Sequence, residues 1–256
     1  SLEKYIRPYV GSEELINNLK RWCLWLKDVA PNEYRIHQKI MERVEAVRNS
    51  RLDSDRPATK ELAKTPSVFA FISHPNDNYI AIPSVSSEKR NYVPLAFFGT
   101  ETIASNLCLI IPNATPYHFG VITSAMHMEW MRYVCGRLES RYRYSNTLVY
   151  NNFPWPDPTP AQQKSIEAKA QAVLDARAEF PDASLATLYD PLTMPPVLLN
   201  AHQALDKAVD AAYRSAPFKS ERERVEFLFT RYQQLTAPLV AAVDKKKKGG
   251  QRKPQG

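Results

Sequence analysis

The chain has 256 residues, with 34 Lys plus Arg against 27 Asp plus Glu and a formal net charge of +7. Six of those charges (Lys245, Lys246, Lys247, Lys248, Arg252 and Lys253) sit in the C-terminal tail, so the body is near +1 and any basic patch must be local. An aromatic content of 11% within 44% apolar residues excludes a disordered chain, and apolar runs such as 107–111 reach five residues against the ~20 of a spanning helix.

The length allows one large domain or two modest ones. Three widely spaced cysteines, Cys23, Cys108 and Cys135, give neither a zinc spacing nor a disulfide framework and suit a reducing, cytoplasmic compartment. No N-terminal signal region is present. Seven glycines, with no G-x-G-x-x-G and no P-loop, argue against a nucleotide cofactor held by this chain. A start at Ser1 rather than Met suggests a piece of a longer protein.

Ser12 reads as the N-cap of a first helix, with Glu13 and Glu14 in its first turn and Leu15, Ile16, Leu19, Trp22, Cys23 and Leu26 on one face. A second, more charged helix is expected over 32–51, with a thin stripe of Ile36, Ile40, Val44 and Val47 that suits a bridging helix with a solvated outer face. From 67 to 112 the runs SVFAFIS, NYIAIPSV, YVPLAFF and NLCLII read as strands. HPNDN is expected to turn the first two into a hairpin, and Pro83 and Pro94 imply edges or bulges.

A helix is expected from Pro116 to about Gly136, burying Phe119, Ile122, Met126, Trp130, Met131 and Val134, with a last strand over 147–150. Pro154, Pro156, Pro158 and Pro160 then forbid regular structure and mark a boundary. Helices follow over 161–180 (Ile166, Val173, Leu174), 197–213 (Ala201, Leu205, Ala208, Val209, Ala212) and beyond Ser220 (Val225, Leu228, Phe229, Tyr232, Leu235). The fold class is α+β: N-terminal helices, a mixed sheet with a packed helix, then an all-α C-terminal segment.

No catalytic constellation emerges. His37, His74, His118, His127 and His202 form no metal-type pairing, and no serine elbow or cysteine nucleophile signature is present. Asp157 with Glu167 and Lys169 loosely matches a metal-dependent nuclease string, but Glu167 and Lys169 fall inside an expected helix where strands are required.

The stretch 132–150 carries Arg132, Arg137, Arg141 and Arg143 against the single acid Glu139, interleaved with Tyr133, Tyr142, Tyr144 and Tyr150. Arginine forks match guanine or phosphate oxygens, and glutamate accepts from cytosine. In an extended backbone Glu139, Arg141 and Arg143 share a side. The stretch therefore reads either as a base-reading ridge or as a surface on which Glu139 is neutralised by its neighbours. The polar segment Ser84, Ser86, Ser87, Glu88, Lys89, Arg90 and Asn91 reads as an ordinary turn or as a second contact region with Asn106, an adenine-matching amide.

Long strings in this chain resemble one family. RPYVGSEELINNLKRWCLWL at 7–26, FISHPNDNYIAIPSV, SAMHMEWMRYVCGRLESRYRYSNTLVYNNFPWP at 124–156 and LLNAHQALDKAVDAAYRSAPFKSERERVEFLF at 198–229 are similar to the C-terminal region of the MmeI-like, type IIL restriction–methylation polypeptides and related large bacterial DNA adenine methyltransferases. The resemblance implies a bacterial, cytoplasmic target recognition domain that reads base identity in double-stranded DNA. An upstream methyltransferase domain of the same polypeptide would bind S-adenosylmethionine and methylate a flipped adenine, and many members also carry a nuclease. The catalytic Asn-Pro-Pro-aromatic motif is not in this chain, because Asn151-Asn152-Phe153-Pro154 lacks the second proline.

On this resemblance Glu139, Arg141, Arg143, Asn106 and Ser84 read bases, and Lys89, Arg90, Arg137, Tyr142 and Tyr144 contact the DNA backbone. No catalytic, cofactor or metal residue is expected here, and no membrane contact. The division expected is a helical linker (1–56), a recognition domain (57–158), a helical segment (159–240) and a basic disordered tail (241–256). The competing readings are an assembly module that joins subunits through the 161–236 helices, and single-strand binding through stacked tyrosines.

Overall fold

A computed structural model describes residues 2–249, with side chains through residue 238. The protein opens with β1 (Ile6–Val10), α1 (Ser12–Asn17) and β2 (Trp22–Leu24), then α2 (Pro31–Tyr34), α3 (Gln38–Leu52) and α4 (Pro57–Glu61). Strands β3 (Tyr79–Pro83), β4 (Val85–Ser86), β5 (Ala96–Phe98), β6 (Ile103–Ala104) and β7 (Cys108–Pro112) lead to α5 (Pro116–Ile122) and α6 (Ala125–Val134). A hairpin of β8 (Gly136–Leu138) and β9 (Arg141–Arg143) follows. Helices α7 (Pro160–Ala178), α8 (Leu185–Leu188), α9 (Pro196–Tyr213) and α10 (Glu221–Gly249) complete the described chain, which is α+β.

The strands form three small sheets, ordered β2-β1-β6, β5-β3-β7 and β4-β9-β8. Strand β3 is central and buried along its whole length. Alternate residues of a strand face opposite ways. Ile80 and Ile82 accordingly enter the main core with Phe119, Met126, Ile166 and Leu205, while Tyr79 and Ala81 join a second cluster with Val10, Leu15 and Cys108. A third cluster of Tyr5, Leu26, Tyr34, Ile40 and Val44 packs the N-terminal helices.

The main core runs from the sheet into the helical segment. Helix α5 can approach α7 and α9 because position 120 is glycine: a Cβ there would lie 2.8 Å from Ile166 Cγ2 and 3.2 Å from a Leu205 methyl. Polar groups fasten the same seam. Arg177 donates to the Leu95 carbonyl at 2.7 Å and to the Tyr189 hydroxyl, which also bonds His202 Nε2 at 2.7 Å. Tyr92 donates to Asp206 at 2.8 Å.

Several expected elements fold differently. The first helix begins after Gly11 and stops at Asn18, whose φ of 55° is a left-handed cap that asparagine tolerates. Trp22–Leu24 then pairs antiparallel with β1 instead of continuing a helical face. The helix expected over 32–51 is two helices, and Ile36 between them is exposed. SVFAFIS forms no strand or hairpin, because both edges of β3 are already occupied by β5 and β7. Its Phe69 packs instead on the rings of Tyr9 and Trp25.

Pro83 ends the central strand opposite Cys108 of β7, beyond the last residue that β5 pairs, so it has a locally free edge on that side, as expected. The helix from Pro116 breaks at Thr123-Ser124, where the hydroxyls of both residues donate to backbone carbonyls of Val93 and Val121. The strand expected over 147–150 is a π-helical turn, Asn146–Tyr150. Pro160, the last of the proline series, starts α7 behind a capping box in which Thr159 and Gln162 exchange hydrogen bonds. The basic character expected of 241–256 rests on side chains that lie outside the described residues.

Candidate nucleic-acid interface

Helix α6 ends when the Cys135 N–H closes on Met131 O, and the chain turns directly into β8. Leu138 pairs with Arg141, so Glu139 and Ser140 form a two-residue hairpin turn. Glu139 adopts φ 57°, a region that residues with a Cβ seldom enter. It therefore sits in the turn and not on the extended face with Arg141 and Arg143. Its carboxylate still meets Arg141 at 2.8 Å, with both side chains open to solvent. Such a pair is worth only about 0–1 kcal/mol, so a base edge can take either partner.

Along β9 the alternation is clean: Arg141 and Arg143 are exposed and Tyr142 between them is buried. The Arg143 guanidinium has no hydrogen bond or ion pair to the described residues. Arg137 lies 4.2 Å above the Tyr142 ring and donates to the carbonyls of Ser140 and Arg132, which braces the turn. Tyr142 and Tyr144, expected to touch the DNA backbone, are core residues. The Tyr144 hydroxyl bonds His127 Nε2 at 2.9 Å in a buried site. Burial pushes the His127 pKa down to about 3 and lifts the Tyr144 phenol well above its usual range.

Strand β4 flanks the hairpin, with Val85 opposite Arg143. Ser84 just before it is a joint. Its carbonyl accepts from Tyr144 N at 2.9 Å, and its hydroxyl donates to Leu107 O at 2.7 Å. Ser12 also donates to Leu107 O and accepts from Ser84 N at 3.1 Å. Ser84 thus ties the end of β9 to the turn that carries Asn106, and its hydroxyl proton is already engaged. Asn106 is exposed beside it, and its amide has no partner among the described residues.

The rest of the polar segment divides. Lys89 is exposed. Arg90 is partly buried, donates to Ser86 Oγ at 3.1 Å and leaves a buried Nε without a partner. Burial lowers its pKa, and the same burial leaves less of its guanidinium open to a phosphate. Asn91 accepts from Arg132 at 3.5 Å, and Arg132 is ion-paired with the buried Glu129 at 2.6 Å.

The FPWP run lies behind this surface and has no part in it. Phe153 meets His127 edge-on at 4.5 Å, the Pro154 carbonyl accepts from Tyr213, and the Trp155 carbonyl accepts from Arg231. Sequence reasoning missed Phe71, Ser73 and Asn146, which line an open groove with Asn106. The signal available for Asn146 was its place in the polar run Ser145-Asn146-Thr147 directly after the arginines.

Among the described residues the site therefore presents one free arginine, Arg143, a second, Arg141, held by an exposed ion pair to Glu139, and the unpartnered amide of Asn106, an arrangement suited to recognition of a polar ligand. Residues 1–157 match the family described as MmeI, target recognition domain, and residues 158–240 match MmeI, C-terminal domain. The chain belongs to the MmeI target recognition domain family. It is similar to a solved structure of the type IIL restriction-modification enzyme MmeI in complex with DNA, with 48% identity and a TM-score of 0.89 over 92% of this chain and 32% of that one. DNA methyltransferase A of Bacillus subtilis (strain 168) is 42% identical over 236 residues, 92% of this chain and 27% of that protein. The chain therefore spans about a third or less of the length of these relatives.

Proposed function

We propose that this chain is the sequence-specificity part of a bacterial DNA adenine methyltransferase or restriction–modification protein. It reads base edges of double-stranded DNA while an upstream domain of the same polypeptide transfers the methyl group. The observation that carries the reading is the placement of Arg141 and Arg143 on one exposed strand face, joined through Ser84 to Asn106.

The division of labour follows from the side chains. Arginine forks donate two parallel hydrogen bonds to guanine, and an amide matches adenine, each good pair discriminating by ~1–3 kcal/mol. The Glu139 carboxylate sets the plane of Arg141 and offers an acceptor to cytosine. Buried Tyr142 and Tyr144 hold the strand from beneath, so that the guanidiniums are presented without a large ordering cost. Lys89 and the remaining basic residues supply salt-dependent phosphate contacts.

S-adenosylmethionine does not fit this chain's own residues. Gly11 caps α1, Gly120 admits Ile166 and Gly136 opens β8 against Arg143, so these glycines serve packing and turns and not a loop around a ligand. In this reading the cofactor belongs with the upstream domain. The assembly reading is less well supported, because Ile166, Val173, Leu205, Val209 and Leu228 of the C-terminal helices are buried inside this chain.

The test is selection of bound sequences from a randomised duplex library. Enrichment of a defined motif, lost at one or two positions on Arg141→Ala, is the expected result. Equal retention of all sequences would overturn the reading.

A further inference from the structure

Beside the arginine face lies an open groove of about 480 Å³, lined by Phe71, Ser73, Asn106, Leu109 and Asn146 among others. None of its lining residues is charged. A groove that held phosphate would need cations, because each phosphate carries a full negative charge. Two amides and an aromatic ring match the uncharged parts of a nucleotide instead: hydrogen-bonding edges and an apolar face.

The groove continues the surface already described. Asn146 follows Arg143 by three residues, and the Ser84 carbonyl binds the Tyr144 N–H between them. On the other side the Ser84 hydroxyl holds Leu107, the neighbour of Asn106. Phe71 stands 76% exposed at the rim, on the segment that leaves the Tyr9–Trp25–Phe69 aromatic cluster. So open a ring, placed beside two amides, leaves an apolar face available to a base.

Asn146 is itself half engaged. Its Oδ1 accepts from the Thr147 N–H at 2.9 Å, which orients the amide. The Nδ2 group has no partner among the described residues, so it is a fixed pair of donors facing outward.

We propose that Asn146 is a further specificity-determining residue, whose Nδ2 donates to an acceptor on a base edge of the duplex, with Phe71 as the apolar wall against the neighbouring base. This rests on the DNA-reading function proposed above. The groups to which Nδ2 can donate at the groove edge are guanine N7 and O6, adenine N7 and thymine O4.

Asn146→Asp is the decisive variant. It keeps the oxygen that caps Thr147 and replaces the donor with an acceptor, so the local fold is held while the chemistry inverts. In selection from a randomised duplex library, the preferred base at one position is expected to change toward cytosine or adenine, which offer an amino donor. That position should differ from the one relaxed by Arg141→Ala. Phe71→Ala is expected to weaken duplex binding roughly tenfold while leaving the salt dependence unchanged, since no phosphate contact is lost. A motif that responds to Arg141→Ala yet is identical for wild type and Asn146→Asp overturns the role of Asn146 alone. Failure of the wild type to select any motif takes down the DNA-reading function and this inference with it.

Discussion

The carboxylate of Asp206 in α9 accepts a 2.7 Å hydrogen bond from the backbone N–H of Ala125, the first residue of α6, 81 positions earlier in the chain. Its other oxygen accepts from Tyr92 at 2.8 Å. The C-terminal helical segment thus supplies an acceptor to the N-terminus of the helix that runs directly into the arginine hairpin. Substitution Asp206→Ala leaves a buried N–H and a buried hydroxyl without this partner and is expected to lower unfolding stability by about 2–4 kcal/mol. Asp206→Asn keeps an acceptor for Ala125 and should cost far less. Urea unfolding of the two variants beside wild type measures the difference, and equal loss in both would contradict the assignment.

The same carboxyl and two histidines set the response to acid. Burial raises Asp206 to about 6, so in the folded state it holds its proton more tightly than when unfolded, and its contribution favours folding below about 4 and is lost as pH rises through 6. His127 and His202 behave oppositely. Both are buried with their pKa pushed down by desolvation, His127 to about 3. Each contributes stability fully above pH 6.5, and each loses it by up to about 1.4 kcal/mol per pH unit as pH falls below that, for His127 until about pH 3. The imidazole resonances of His127 and His202 should therefore stay fixed in an NMR titration from pH 7.5 to 5, and a midpoint near 6.5 for either would refute its burial as a neutral ring.

Gly120 tests the packing of sheet to helices. Glycine inside a helix is ordinarily less stable than alanine by about 0.5–1 kcal/mol. Here the added methyl would lie 2.8 Å from Ile166 Cγ2, on a branch that cannot swing clear without moving the rotamer. Gly120→Ala is expected to destabilise by about 1–3 kcal/mol, the usual cost of overpacking, against the helix propensity. Thermal unfolding decides the sign.

Glu139, Arg141 and Arg143 should change which duplex is read and leave stability alone, because all three are exposed. Glu139→Lys removes the acceptor paired with Arg141 and is expected to alter the base accepted at one position. Methylation of a randomised-site library by the complete polypeptide provides the readout; an unaltered motif with merely lower activity counts against the role.

Tyr144→Phe gives the reverse pattern. Loss of the hydroxyl orphans the buried His127 Nε2 and should lower stability by about 1–3 kcal/mol. The selected DNA motif should be the same as for wild type. A shifted motif with intact stability would return Tyr144 to the DNA surface.

Much of the local structure was legible because it depends on near neighbours. The proline series marks the boundary ahead of α7, and the stripe Leu205, Val209, Ala212 marks the buried face of α9; both follow from spacing alone. The breaks were less legible. Asn18, Thr123 and Ser124 end helices through a left-handed cap or through hydroxyls bonded to carbonyls, and an apolar stripe passes over such positions without interruption. SVFAFIS has the composition of a strand, yet pairing depends on which edges are free, and β3 has none.

By itself the sequence determined the α+β class, the crowding of arginines around Glu139 and the absence of a glycine-rich ligand loop, since these depend on composition and short-range periodicity. Only the tertiary structure separated the exposed Arg141 and Arg143 from the buried tyrosines that alternate with them, and placed Ser84 at the joint between β9 and the turn of Asn106. It also brought Phe71 and Asn146 into one groove across 75 positions of chain. The reason is physical: side-chain exposure and long-range juxtaposition are set by what packs against each strand, and the packing partners here come from helices α7, α9 and α10, far along the chain from the residues they brace.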